Sequence, residues 1–339
     1  MLSNTARTLL KSATLAPLTL ACAMAYAGTI TVYTSLEEDE IKDYLAQAQK
    51  DMPDVKVDVL RLSTGDLGAR ILAEAANPRH DVIWGWAVTN MMDPRILALL
   101  QPYEPAGSDK LQANYRATDH KWTAATGYMA AFCVNTAVLE AKKLPVPQSW
   151  ADLLKPEYKG EVVMPNPVSS GTGYLQIAAL LQKLGDDQGW KLLKDLDQNV
   201  AQYIKSGSRP CKAAQAGEYA IGTSLAFAAI KAVESGAPMK MVIPTDGAGY
   251  ELEASGLMAS SKNKTDAQKF LDWTLSAHAA NQYVKYKEIV TIAGAPQSQA
   301  AKAAGLPADI SSVVFPVDFV KSAQERTAIL ERWNKDIGR

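Results

Sequence analysis

The chain has 339 residues, 35 Lys and Arg against 36 Asp and Glu, a formal net charge of −1 and 47% hydrophobic residues. That length suits one large or two medium globular domains, and the even charge balance excludes the basic excess that nucleic-acid or anionic-membrane binding requires. Three histidines and three cysteines, with no Cys-x-x-Cys pair or Cys/His cluster, nominate no metal or cofactor.

The chain opens with MLSNTARTLLKSATLAPLTLACAMAYA, in which Arg7 and Lys11 precede an apolar stretch and Ala25-Tyr26-Ala27. This is the pattern of a secretory signal with an A-x-A cleavage site, so residues 1–27 are expected to be removed and the mature chain to start at Gly28. The apolar core is short for a membrane span, and Cys22 fits a lipoprotein site less well than Ala25–Ala27 fits a cleavage site. With Cys22 gone, Cys133 and Cys211 remain in an oxidising compartment, where one disulfide is expected and two buried thiols are the alternative.

From Gly28, TITVYTS alternates as a strand, LEEDEIKDYLAQAQKDM has helical spacing at Leu36, Ile41, Tyr44 and Leu45, and VKVDVLRL is again a strand. STGDLGARILAEAAN starts a second helix with hydroxyls, and HDVIWGW is a buried strand. After residue 125, YMAAFCVNT reads as a strand, SWADLLKPEYKG holds a short helix, and EVVMPNP is a strand. LQIAALLQKL and DQGWKLLKDLDQ are helices, NVAQYIKSGSRPC is a strand with a loop, and KAAQAGEYAIGTSLAFAAIKAVESG gives helix, strand and helix. MKMVIPTDGAGYELEASGLMA returns as strands, and KTDAQKFLDWTLSAHAANQYVKYK is helical. Strands alternating with helices at this spacing predict an α/β fold with a mostly parallel sheet.

In such sheets ligands bind beyond the carboxyl ends of the strands. The loops there are Tyr33-Thr34-Ser35, Leu62-Ser63-Thr64-Gly65, Trp84-Gly85-Trp86, Ser169-Ser170-Gly171-Thr172-Gly173 and Ser206-Gly207-Ser208. Each hydroxyl alone is explained by helix capping. Four hydroxyl-bearing loops at equivalent positions favour a small oxyanion-bearing ligand held by neutral donors and helix N-termini. Trp84 and Trp86 share a strand face by alternation, as core residues or as walls of the cleft. Glu37-Glu38 at a helix start fits dipole compensation before acid–base chemistry. No GxxxxGK[ST] loop and no GxSxG elbow exist, so neither a nucleotide P-loop nor a serine nucleophile at Ser169 or Ser170 has motif support.

VYTSLEEDEI, DVIWG, AFCVNT, SWADLLKPEYKGEVVMPNPVSSGTGY and KSGSRPCKAAQAGEYAIG together resemble the periplasmic solute-binding proteins of ABC importers. The likeness lies in the ferric-binding branch, and within it nearest the 2-aminoethylphosphonate-binding proteins. It spans essentially the whole mature chain. It implies a type II fold of two α/β lobes, residues 28–126 plus 259–339 and residues 127–258, with hinge strands near Tyr128–Cys133 and Leu252–Leu257. It further implies a periplasmic, non-enzymatic, monomeric carrier with no cofactor, which closes over its solute and delivers it to an inner-membrane permease. Cys133 and Cys211 would tie one lobe internally.

Ferric relatives use adjacent tyrosines after a unit like GEYAIG. Here GEYAIGTSLAFAAI lacks the pair, which argues against iron, a lover of anionic oxygen ligands. The resemblance therefore implies a small phosphonate, 2-aminoethylphosphonate first, with a phosphate ester or ferric iron as alternatives in the same fold and a secreted serine hydrolase as the alternative of another class. Thr34, Ser35, Glu37, Ser63, Thr64 and Trp84 would contribute from the first lobe. Ser169, Ser170, Gly171, Thr172 and Tyr250 would contribute from the second. Glu37 is the first choice of carboxylate for the ligand amine, and Asp246 the second.

Overall fold

A computed structural model describes residues 28–307 and 310–338; the expected signal segment with its Ala27 cleavage site, and Cys22 within it, lie outside the described residues. The alternating opening run forms β1 (Gly28–Thr34), followed by α1 (Glu38–Asp51), β2 (Val55–Arg61), α2 (Thr64–Ala73) and β3 (Val82–Ala87). Two single-turn helices, α3 (Val88–Met91) and α4 (Pro94–Leu97), and a short β4 (Leu100–Gln101) lead to β5 (Thr123–Asn135), which is buried at every position.

The chain then repeats its strand–helix grammar. α5 (Thr136–Lys142) is followed by β6 (Val162–Pro165), α6 (Gly171–Leu184), α7 (Asp186–Asp197), β7 (Val200–Ile204), α8 (Arg209–Gln215), β8 (Ile221–Leu225) and α9 (Ala226–Glu234). β9 (Met239–Val242) and β10 (Tyr250–Met258) precede α10 (Lys264–Thr274), α11 (Ala277–Tyr283), β11 (Ile289–Val290), α12 (Gln299–Ala303) and α13 (Phe319–Asp336). Two expectations are corrected here. The short helix in SWADLLKPEYKG is two 3-10 turns, Asp152–Leu154 and Pro156–Tyr158, because Pro156 bars the residue before it from helical backbone. The long C-terminal helix is split, with Ser276 capping α11 by accepting from the Ala279 amide.

The strands run in the order β2-β1-β3-β10-β5-β8-β6-β7. β1 pairs parallel with β2 and β3, and β6 pairs parallel with β7 and β8. Between these parallel sets lie the antiparallel strands β10 and β5, so the sheet is mixed. β5 belongs to both halves: Thr123–Met129 pairs with β10, and Ala130–Asn135 pairs with β8 and β9. The whole of β10 pairs on the first side, against β3, β4 and the leading half of β5. The expected second-lobe segment 127–258 thus includes a strand of the first sheet, and the return crossing precedes Tyr250, where the Ala130 amide donates to the Gly249 carbonyl (2.9 Å).

Separate cores back the two sheets. One gathers Ile30, Val32, Tyr44, Trp84, Phe270 and Tyr283, and the other Phe132, Trp150, Tyr158, Tyr174 and Trp190. α13 adds Ile329 and Trp333 to the second core, and its Arg332 lies over the Trp190 ring (4.5 Å). The C-terminal helix therefore bridges the two sides: Phe319 at its start packs with the first core, and Ile329 and Trp333 near its end join the second. A disulfide joins Cys133 of β5 to Cys211 of α8, with Cα atoms 5.2 Å apart.

Candidate functional site

The carboxyl ends of β1 and β2 are pinned together. Glu37 caps α1: its amide donates to Glu40 Oε1 (2.6 Å) in a reciprocal capping box. Arg61, the last residue of β2, donates from Nε to the Leu36 carbonyl (3.0 Å) and from Nη2 to Glu37 Oε1 (3.2 Å). The chain then turns through Ser63 into α2, whose first residue, Thr64, accepts at its carbonyl from Trp86 Nε1 (3.0 Å). Trp86 thus supports the site from beneath without lining it.

Behind this wall lies a buried ionic floor. Lys287, 1% exposed at its side chain, is 2.9 Å from Glu40 and 2.7 Å from Glu253. Tyr44 donates to Glu40 and Thr126 to Glu253. One ammonium serves two carboxylates, so the second is poorly compensated: burial pushes Glu40 up to about 7, with Lys287 opposing and Glu253 adding to the rise. The same two carboxylates, opposing burial, hold the Lys287 ammonium above its ordinary range.

The facing wall belongs to the second sheet. α6 begins at Gly171, with Ser170 as its cap accepting from the Gly173 amide (3.3 Å). Among the described residues, the Gly171 and Thr172 amides find no acceptor, leaving two open donors at the positive end of a 14-residue helix. The Thr172 hydroxyl meets the Tyr128 phenol, whose pKa burial raises well above the ordinary value. Gly207 passes so close that a Cβ there would be 2.4 Å from Thr172 Oγ1. Its neighbour Ser208 donates to Glu37 Oε2 (3.0 Å), a direct bond between the walls.

These groups line one cleft with about 390 Å³ of space between atoms. That is within the size range of small-molecule sites. Its charges are unevenly divided. Arg61 and Lys287 face Glu37, Glu40 and Glu253 on the first sheet and floor, while the second-sheet lining, Ser170, Gly171, Thr172, Gly207, Leu225 and Phe227, carries no charged side chain.

Of the residues expected from the sequence, Ser35, Glu37, Ser63, Thr64, Ser170, Gly171 and Thr172 line this cleft. Four do not. Thr34 is fully buried, its hydroxyl accepting from the Leu36 amide (3.1 Å). Trp84 is a core residue, edge-on to Phe270 and Tyr44. Gly85 between the tryptophans has φ +60°, which breaks the alternation and sends Trp84 and Trp86 into different cores. Ser169 turns its hydroxyl to the Lys205 carbonyl (3.0 Å), and Tyr250 packs edge-on against Phe319 of α13. Asp246 caps a distant turn by accepting from the Trp150 and Ala151 amides. Glu37 is at the cleft, but with both oxygens engaged by Arg61 and Ser208 rather than free for an amine.

The sequence reading missed Glu40, Arg61, Tyr128, Glu253 and Lys287. Only two left a local trace: Arg61 ends a strand beside a hydroxyl loop, and Glu40 stands three residues after a cap. Neither Ser169 nor Ser170 has a histidine near it. His80 stacks on Tyr33 (4.1 Å), His278 pairs with Asp51 (2.9 Å) and His120 lies beside Glu104 (4.0 Å), all outside the lining.

Residues 97–323 match the model of a family described as bacterial extracellular solute-binding protein. The periplasmic binding protein AfuA from Actinobacillus pleuropneumoniae, solved with exogenous fructose-6-phosphate bound, is 29% identical with a TM-score of 0.84, covering 91% of this chain and 98% of that one. The periplasmic binding protein P5PA is 28% identical with a TM-score of 0.81, covering 91% and 99%. A probable ABC transporter periplasmic-binding protein, y4fP of Sinorhizobium fredii, is 27% identical over 96% of this chain and 91% of its own. The shared fold is the type II periplasmic binding protein fold. No helix among the described residues is long and apolar enough to cross a membrane.

Proposed function

We propose, from the premise that this chain belongs to the family of bacterial extracellular solute-binding proteins, that its cleft captures a small hydroxyl-rich phosphate ester for an ABC permease. The observation that carries this reading is the division of charge across the cleft. A tetrahedral dianion fits against the charge-free wall, where the open Gly171 and Thr172 amides and the Thr172 hydroxyl converge at the N-terminus of α6 and Thr64 adds a hydroxyl from the facing wall. The remainder of the ligand then faces Arg61, Lys287 and the carboxylates, a set able both to donate to and to accept from hydroxyl groups. The fructose-6-phosphate in the AfuA relative has both ends.

2-Aminoethylphosphonate shares the oxyanion but ends in an ammonium, which needs a carboxylate of its own. Glu37 is bonded to Arg61, and Glu40 and Glu253 are bonded to Lys287, so the amine would compete with internal cations. Ferric iron finds a single phenol, Tyr128, held protonated by burial.

Calorimetry with fructose 6-phosphate, 2-aminoethylphosphonate, inorganic phosphate, fructose and ferric citrate ranks the classes. The expected order places the sugar phosphate first and fructose last. Heat from ferric citrate alone would overturn the phosphoryl reading, and preference for 2-aminoethylphosphonate would overturn the hydroxyl part of it. Thr172→Val should weaken every phosphoryl ligand by about 1–3 kcal/mol, the worth of a hydrogen bond to a charged group.

A further inference from the structure

Besides Ser208 and Glu37, one main-chain bond crosses the cleft. The Gly65 amide, in the first turn of α2, donates to the Ser169 carbonyl, just before α6, at 2.8 Å. α2 follows the first-sheet strand β2, and Ser169 follows the second-sheet strand β6. The approach is closer than any side chain allows: a Cβ on Gly65 would lie 2.0 Å from the Val168 carbonyl oxygen and 2.9 Å from the Ser169 Cα. Both obstacles are backbone, so no rotamer change relieves them. Gly65 has no left-handed φ, and the three atoms nearest to such a Cβ all belong to residues 168 and 169 of the opposite wall.

From this we infer that Gly65 is a positioning residue for closure, absent in its side chain so that the N-termini of α2 and α6 can face one ligand. The inference rests on the binding reading above, because only a protein that opens and closes needs such a gauge. The bond brings Thr64 against Gly171, whose own hypothetical Cβ would be 2.7 Å from Thr64 Oγ1. Donors from both walls then reach the same small volume. With alanine at position 65, the helix itself is favoured, but the walls stop short of each other and the donors of α2 and α6 no longer converge.

The test is Gly65→Ala in the full chain, with Asp66→Ala, exposed on the same turn, as its control. Four measurements are made: thermal unfolding, amide exchange of the peptide containing residue 65, small-angle scattering with and without fructose 6-phosphate, and calorimetric titration with the same ligand. Gly65→Ala should melt no lower than the parent without ligand. It should lose protection at position 65, lose ligand-induced compaction and bind at least tenfold more weakly, while Asp66→Ala keeps all three. Parent-like exchange protection and compaction in Gly65→Ala would overturn the inference. A large fall in the unliganded melting temperature would also overturn it, because Gly65 would then serve the fold and not closure. If the parent binds no phosphoryl ligand, the functional reading fails, yet exchange at residue 65 still reports on the contact. Ser208→Ala, which removes the side-chain bond across the cleft and adds no bulk, should weaken binding less than Gly65→Ala; the reverse order would overturn the role given to Gly65.

Discussion

Replacing Lys287 by Met isolates the energetics of the cleft floor. The two side chains have similar volume, so packing is largely kept, while Glu40 and Glu253 lose the one ammonium that both contact. Breaking a buried ion pair by removing one partner costs about 3–5 kcal/mol. The cost must depend on pH, and its sign follows from the carboxyls. Glu40 is already raised to about 7; without Lys287 it rises further, and Glu253 loses its nearest countercharge. Above the unfolded carboxyl pKa the folded variant binds more protons than its unfolded chain, so its stability falls as pH rises through that window, more steeply than the parent's. At pH 8 the full penalty is expected. At pH 5.5 Glu40 is protonated in parent and variant alike, and the difference should shrink to about half of those 3–5 kcal/mol. Urea unfolding at the two pH values, with unchanged m, measures both numbers. A penalty under about 1 kcal/mol at pH 8, where the two carboxylates have no other cation, would refute the reasoning, as would an equal penalty at both pH values. Adding Glu40→Gln and Glu253→Gln to Lys287→Met should restore part of the loss, since neither position then holds a carboxylate stripped of its ammonium.

His80 is buried with both ring nitrogens unpartnered among the described residues, and burial lowers it to about 4. The unfolded chain takes up a proton between pH 6.5 and 4 that the folded one refuses, so about 3 kcal/mol of stability is lost as pH falls through that window; His80→Phe, which keeps the stack on Tyr33, should flatten the acid limb of a melting-temperature profile. Replacing Cys133 and Cys211 together by Ser should cost about 2–4 kcal/mol and also weaken ligand binding, because Cys211 anchors the helix that follows Gly207 and Ser208. Calorimetry under oxidising and reducing conditions should reproduce both effects in the parent chain.

The strand–helix alternation was legible because it is local: β1, α1, β2, α2 and β3 each carry their own period. Which sheet a strand joins is not local, and β10 shows why. Its alternation fits either sheet, and only pairing with β3 and the leading half of β5 assigns it to the first. The same holds for Trp84 and Trp86, which alternation puts on one face until a single positive φ at Gly85 separates them. The docking of the end of α13 on the second core rests on contacts such as Trp333 edge-on to Tyr203, 130 residues earlier, which no window of sequence contains.

In the cleft the boundary between legible and hidden follows the range of the interaction. Hydroxyls and bare amides at helix starts are written in consecutive residues, so Ser63-Thr64 and Ser170-Gly171-Thr172 could be read directly. The ionic floor joins Glu40 to Lys287 across 247 positions, and nothing near either residue marks it. Glu37 lies between these cases. As a carboxylate beside a hydroxyl loop it is recognisable as a site residue, but its role depends on Arg61 from the neighbouring strand and Ser208 from the opposite wall. With both partners in place its charge is compensated within the protein, and it acts as a latch between walls rather than a receptor for an amine. Ligand chemistry at such a site is therefore set by the groups the protein leaves without a partner, and on the second-sheet wall those are the Gly171 and Thr172 amides at the positive end of α6, which call for an anion.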